Sequence, residues 1–340
     1  MAFEQYLSAQ MELHKSIQFQ DMVKLCFQAA YGAEHLISDK SRAEAVLTEE
    51  FKNVQAADIP LFEEISEDII RVNLAAWKFR KLPPQWLLNI FLSSTEENTD
   101  GNALMENYLE ECRKKLDKKE WDSFIEEYKK TGFHPVHHSD YYREHEKPSY
   151  RIANKRFARV FPILEAVSKM ESKPCVIAID GRAASGKTTL AKDLALILGC
   201  DTVHMDDFFL PLELRTEERL NEPGGNIDYD RFKIEVIDNI RTENDFSYRV
   251  FSCDNMDFSG TRDIRSSNYR IVEGVYSLHP KFGNYADFCV FSDIDAHNQM
   301  ERLKLRNGIK LANKFATSWI PMEEKYFDEF KISEKCMIYK

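Results

Sequence analysis

The sequence predicts an α/β protein, with a mostly parallel sheet covered by helices over residues 151–340 and an all-α domain over residues 1–150 ahead of it. Three observations carry this. The chain has 340 residues, enough for about two domains at roughly 150 residues each. Up to about residue 133, apolar positions recur at three and four with polar residues between them. Beyond Pro174, short apolar runs alternate with helical patterns, the signature of βαβ units feeding a parallel sheet.

Composition narrows the function classes. Hydrophobic residues make up 43% and charged residues 30%, which excludes a disordered or collagenous chain. Lys plus Arg is 46 and Asp plus Glu is 57, a net of −11. That balance disfavours a surface built to track nucleic-acid phosphates or anionic lipid. Cys26, Cys112, Cys175, Cys200, Cys253, Cys289 and Cys336 are scattered without CxxC or metal-like spacing and read as reduced thiols of a cytosolic protein. The N-terminus lacks the charged-then-apolar design of a signal peptide, and no apolar run approaches the ~18 residues of a membrane span. The expectation is a cytoplasmic protein acting on a small molecule, without nucleic-acid or membrane partners. Homo-oligomerisation is compatible with it.

In chain order, helices fill the first domain, broken at Asp58-Ile59-Pro60, at Pro83-Pro84 and at the polar run Ser93 to Asn102. Five or six helices follow from this. The clearest has Asp117 with Glu120 as a capping box and Gly132 after Lys129 and Lys130 as its stop. Trp77, Trp86 and Trp121 fall at helical spacing and are expected in the core. Residues 133–150 (FHPVHHSDYYREHEKPSY) have no clean period and predict an ordered irregular segment. Its His134, His137, His138 and His145, with Asp140, Glu144 and Glu146, are dense enough to suggest a metal or acid–base site, yet fit no zinc spacing. An ordered, hydrogen-bonded segment is the expected reading. Residues 151–170 resume a helical pattern, which Pro174 ends. Then come strand CVIAID, helix TTLAKDLALIL, strand TVHMD, a helix around Arg231 to Ile240, and strands YRIVEG and FCVFSDI.

Gly181-Arg182-Ala183-Ala184-Ser185-Gly186-Lys187-Thr188 matches GxxxxGK[ST], a pattern expected by chance in roughly one chain in a hundred of this length. It follows a predicted strand and opens a predicted helix, the placement a phosphate cradle needs. Glycines let backbone N–H groups converge, and the helix N-terminus adds about half a positive charge. The candidate nucleotide-binding residues are Gly181, Ala183, Ala184, Ser185, Gly186, Lys187, Thr188 and Thr189. Lys187 suits the β- and γ-phosphates and the Thr188 hydroxyl suits Mg²⁺. Asp206 and Asp207 end the second strand, and ligands sit beyond the C-terminal strand ends of open α/β sheets. Because adjacent strand residues face opposite sides, one of the pair is expected to face the γ-phosphate. Glu273 closes its strand in the same way, as a candidate Mg²⁺ or water partner.

IDGRAASGKTTLA, VHMDDFF, NIDYDRF, VEGVYSL and DIDAHNQMERLKLRN resemble, in order and spacing, the uridine kinases and their relatives, which include phosphoribulokinase and the P-loop pantothenate kinases. The resemblance spans about residues 174–330. It implies a P-loop kinase fold and an ATP- and Mg²⁺-dependent transfer to a hydroxyl of a nucleoside or similar small polyol. It further implies Asp206 as catalytic base, Asp228 as the carboxylate gripping ribose hydroxyls, and Arg302 and Arg306 as lid arginines over the transferring phosphate. The sequence departs from the uridine-kinase pattern in Tyr248 to Asp254, where the base-pocket tyrosine and histidine are not matched. NIDYD is one residue shorter and PGGN precedes it. Arg249 and Asp254 are candidate acceptor contacts. The N-terminal domain resembles helical extensions ahead of such kinase domains in some bacterial proteins. Two rival readings stand beside the kinase: a nucleotide-dependent switch controlling the helical domain, and a histidine-rich domain acting as a second, metal-dependent enzyme.

Overall fold

The computed structural model describes residues 2–33, 40–94, 101–253 and 255–340. Asp254 and residues 95–100 of the polar break therefore lie outside the described residues. The chain divides into two compact units, residues 1–165 and 166–340. Among the described residues, no helix is long and apolar enough to cross a membrane.

The first unit contains α1 (Phe3–Leu13), α2 (Phe19–Tyr31), α3 (Lys40–Asn53), β1 (Phe62–Glu64), β2 (Ile69–Asn73), α4 (Leu74–Phe79), α5 (Pro84–Ser93), α6 (Gly101–Lys115), α7 (Lys118–Lys129), α8 (Asp140–Glu146) and β3 (Tyr150–Asn154). Helix α9 (Phe161–Val167) carries the chain across the division. The punctuation acts as the residue types dictate. Asp117 accepts the Lys119 and Glu120 amides at 3.1 Å each to start α7, Gly132 follows its end at φ 76°, and Pro84 opens α5 where an unbonded N–H is tolerated. Trp77, Trp86 and Trp121 are all buried.

The unit is not all-α. Its β1, β2 and β3 form an antiparallel sheet with β2 in the middle. The central strand reads Ile-Ile-Arg-Val-Asn, and its β-branched residues suit a pleated, covered surface. Strands of three to five residues are too short to break a helical periodicity read over longer windows. Pairing of Ile69–Asn73 with Tyr150–Asn154 also holds residues beyond 150 in the first unit, so the compact division falls at 165 and not 150. The expected helix over 151–170 is β3, a 3₁₀ turn over Lys155–Val160, and α9. The expected irregular segment contains the short α8.

The histidines disperse. His134 bonds the Gly132 carbonyl through Nδ1 at 2.8 Å, and His145 bonds the Tyr141 carbonyl at 2.8 Å. His138 is buried, with Nδ1 2.7 Å from Asp21 and Nε2 2.6 Å from the Tyr150 hydroxyl. Burial drives its pKa down to about 4 against the opposing pull of Asp21. Among the described residues, no group of three or more His, Cys, Asp or Glu is placed to hold a metal ion.

The second unit is built on β4 (Cys175–Gly181), α10 (Lys187–Leu198), β5 (Thr202–His204), α11 (Glu217–Asn221), α12 (Tyr229–Phe232), β6 (Phe246–Ser252), β7 (Asp257–Ile264), β8 (Tyr269–Glu273), β9 (Phe288–Ser292), α13 (Ala296–Lys314), α14 (Ile320–Phe330) and β10 (Met337–Tyr339). Five strands pair in the order β10-β9-β4-β8-β5, every pairing parallel. All seven residues of β4 are buried, as a central parallel strand covered on both faces requires. The connection from β4 runs to β5 on one side and that from β8 runs to β9 on the other, so the C-terminal ends of the neighbouring β4 and β8 mark the topological switch point. The loop at the β4 end carries Gly181 to Lys187. Helix α12 runs into a π turn over Lys233–Ile237, shortening the helix expected there. The hairpin β6–β7, absent from the sequence reading, pairs Tyr248 with Arg262.

Candidate active site

Strand β4 delivers the loop through Gly181, at φ 136°, where a Cβ would run into the Ser292 carbonyl on β9. Gly186, at φ 105°, caps α10 with open space around it; glycine takes both conformations without strain. Lys187 is the first residue of α10, and its Nζ donates to the Gly181 and Arg182 carbonyls at 2.8 Å each. The Ser185 Oγ is buried with no hydrogen-bond partner among the described residues. The loop entry is held from the C-terminal helices. Arg182 makes a forked pair with Glu324 (2.7 and 2.9 Å) and a further bond to Asp293. The Ala183 carbonyl accepts from Gln299 and its amide donates to Glu323, each at 3.0 Å.

Carboxylates gather at the adjoining strand ends. Asp180, fully buried, accepts from the amides of Gly181 (2.7 Å), Tyr276 (3.2 Å) and Leu278 (3.0 Å) and from the Tyr326 hydroxyl (2.8 Å). Burial raises its pKa while those bonds oppose the rise. Glu273 ends β8 beside His204 at the end of β5, with which it is in register and whose Nδ1 lies 2.6 Å from Oε1. The Thr188 hydroxyl sits 3.3 Å from both Glu273 oxygens. A hydroxyl and a carboxylate are the hard oxygen donors that Mg²⁺ takes.

Asp206 and Asp207 are not the last strand residues. They lie in a 3₁₀ turn, Met205–Phe208, immediately after β5, because the backbone leaves the sheet at His204. The turn still sends them apart. Asp207 is buried and accepts from the Tyr248 hydroxyl at 3.0 Å and Arg262 Nε at 3.2 Å, the cross-strand pair of the hairpin. Asp206, by contrast, is exposed. Loss of hydration raises its pKa first, the Glu273 and Asp207 charges add to the rise, and Lys187 opposes it. Of the pair, Asp206 shares the field of Lys187 and Glu273.

Tyr248 also accepts the His204 amide at 3.1 Å. Tyr248→Phe is therefore expected to orphan that donor, weaken the hold on Asp207, and destabilise the unit by about 1–3 kcal/mol in urea unfolding.

The other predicted residues separate into near and far. Phe208 O accepts the Asp228 amide at 2.8 Å and Asn226 O accepts the Leu210 amide at 2.9 Å, strapping the PGGN loop beside the Asp206 turn. Asp228 Oδ1 caps α12 through the Arg231 amide at 3.1 Å. Arg302 NH1 bonds the Ala184 and Ser185 carbonyls at 3.2 and 3.4 Å. Arg306, one turn on, is exposed and bonds Asn307 at 2.8 Å. Arg249 pairs with Glu235 at 2.5 Å, on the opposite hairpin face from Tyr248, because side chains alternate along a strand. The hairpin sends Tyr248 and Arg262 to the Asp206–Asp207 turn and Arg249 elsewhere. The sequence reading missed Arg262, His204 and Glu323. Only the period-two pattern of the hairpin could have pointed to the first.

No family model matches the chain, and no curated protein matches it in sequence. Among solved structures, the chain is similar to several that are described as kinases. One is described as a possible uridine kinase from Bacillus stearothermophilus, with TM-score 0.43 and 18% identity, covering 55% of this chain and 100% of the other. Another is a D-glycerate 3-kinase from Cryptococcus neoformans, with TM-score 0.37 and 17% identity, covering 50% of this chain and 86% of the other.

Proposed function

We propose that the second unit is an ATP- and Mg²⁺-dependent kinase that phosphorylates a hydroxyl of a small polyol, of which a nucleoside is the leading class. The observation that carries this is the convergence, at one switch point, of a phosphate-cradling loop, a Thr188–Glu273 oxygen pair and Asp206 in the field of Lys187. The buried, unpartnered Ser185 Oγ and the open space at Gly186 are features that a bound polyphosphate accommodates. In this reading Lys187 exchanges two loop carbonyls for phosphate oxygens, and the loop amides and α10 N-terminus hold the remaining charge. Thr188 and Glu273 would hold Mg²⁺, which supplies charge neutralisation between the phosphates.

Asp206 takes the proton from the accepting hydroxyl as that oxygen attacks the γ-phosphate. Its raised pKa makes it a better base than an ordinary carboxylate. Arg302 is anchored at the loop, and it and Arg306, one turn on, would supply positive charge to the transferring phosphate. Asp228, strapped beside the Asp206 turn, offers its free lone pairs to acceptor hydroxyls. The test is ADP release from Mg·ATP against nucleosides, pantothenate, glycerate and sugar phosphates. Acceptor-dependent release supports a kinase and names its substrate class. Tight ATP binding with no acceptor stimulating turnover defeats it.

A further inference from the structure

Glu323 has no place in the chemistry above, yet it is bonded to the loop. It is buried, with 7% of its surface exposed, and its Oε2 accepts the Ala183 amide at 3.0 Å. Gln299 holds the carbonyl of the same residue, so the Ala183 peptide is gripped on both sides from the C-terminal helices. The neighbouring anchors of α14 are already committed, Glu324 to Arg182 and Tyr326 to Asp180. A carboxylate on a nucleotide-loop amide stands where an incoming polyphosphate brings several further negative charges.

The charged groups facing Glu323 come from three elements: Lys187 from α10, Asp180 from the end of β4, and Asp206 from the turn after β5. Tyr276, neutral, faces it from the segment after β8. Arg182, next to Ala183, is paired with Glu324 and Asp293. Burial favours the protonated acid and the two aspartates add to that preference, while Lys187 and the Ala183 amide favour the anion. The balance puts Glu323 at about 7. Phosphate binding shifts both sides of the balance in one direction. It brings negative charge to the loop, and it turns the Lys187 ammonium from its carbonyls toward phosphate oxygens, removing the cation that favoured the Glu323 anion.

We propose that Glu323 is a positioning residue that couples nucleotide binding to proton uptake: its carboxylate, seated on the Ala183 amide, is protonated when the polyphosphate enters the loop. This rests on the nucleotide-site reading given above. The linkage has a definite sign. Protonation-coupled binding weakens as pH rises through the free-state value, because a growing fraction of the protein must first take up a proton.

The experiment is calorimetric titration of full-length protein with ATP in EDTA, where Mg²⁺-dependent turnover is absent, in buffers of different ionisation enthalpy. At pH 8 the γ-phosphate is already deprotonated and about nine-tenths of Glu323 is ionised. Uptake of close to one proton is expected there. In Glu323→Gln, whose amide oxygen still accepts from Ala183, that uptake is lost. The variant then binds ATP about tenfold more tightly than wild type at pH 8, with the difference closing toward pH 6. A purely structural clamp would leave the proton count unchanged in the variant. The wild-type titration stands alone if the variant fails to fold. ATP binding without proton uptake overturns the proposal, as does uptake that persists in Glu323→Gln or is lost in Asp206→Asn instead. Failure of wild type to bind ATP in EDTA and Mg·ADP alike overturns the nucleotide-site reading, and this inference with it.

Discussion

Lys187→Ala is expected to lower acceptor-dependent ADP release by about a thousandfold or more. The ammonium is aimed at the loop's own carbonyls, with Nζ at 2.8 Å from two of them. In phosphoryl transfer there is little for the protein to do besides position groups and neutralise charge, so losing the central cation removes much of the catalysis. The measurement is turnover at saturating Mg·ATP beside equilibrium ATP binding, with Lys187→Met as a second variant that keeps the packing of the stem. Unchanged turnover in both variants would remove the loop from the mechanism.

Asp206→Asn should separate chemistry from binding. A general base contributes about 10²–10⁴-fold, and the amide cannot accept the hydroxyl proton. Transfer is expected to fall by that factor while ATP affinity stays within a few-fold, since the proposed role of Asp206 is toward the acceptor hydroxyl and not the nucleotide. A nucleotide-dependent switch would behave differently, keeping both its ATP binding and its output in this variant. The pH profile supplies an independent check. The base works as the anion, so the wild-type rate falls as pH drops through its pKa. Lost hydration and the Glu273 charge raise that pKa, placing the acid limb above the ordinary aspartate range.

The parts of the site that were legible in the sequence are the local ones. Strand, loop and helix over Cys175–Leu198 follow one another without a gap, and each is specified by neighbours in the chain: an apolar run, glycines where φ is positive, and a glycine at the helix end. The same holds for α7, written by Asp117 and Gly132. Short strands were legible only when flanked by turn signals. Ile69–Asn73 lies between helical patterns and owes its conformation to partners at Phe62–Glu64 and Tyr150–Asn154. The N-terminal sheet therefore went unread. The dense histidines of residues 134–145 point apart once the chain folds, because proximity in sequence says nothing about where rings aim.

The sequence by itself determined the strand, loop and helix that carry Lys187 and Thr188, since these depend on residues adjacent in the chain, and the alternation of strands and helices pointed to the α/β class. Tertiary structure alone decided which of Asp206 and Asp207 shares the field of Lys187, through a hairpin that claims Asp207 with Tyr248 and Arg262. It alone turned Arg249 toward Glu235. It also brought Glu323 onto the Ala183 amide across 140 residues of chain. A hydrogen bond at that separation leaves no periodicity or spacing in the sequence. It exists only because the sheet and the helices packed on it fix where the two backbones meet.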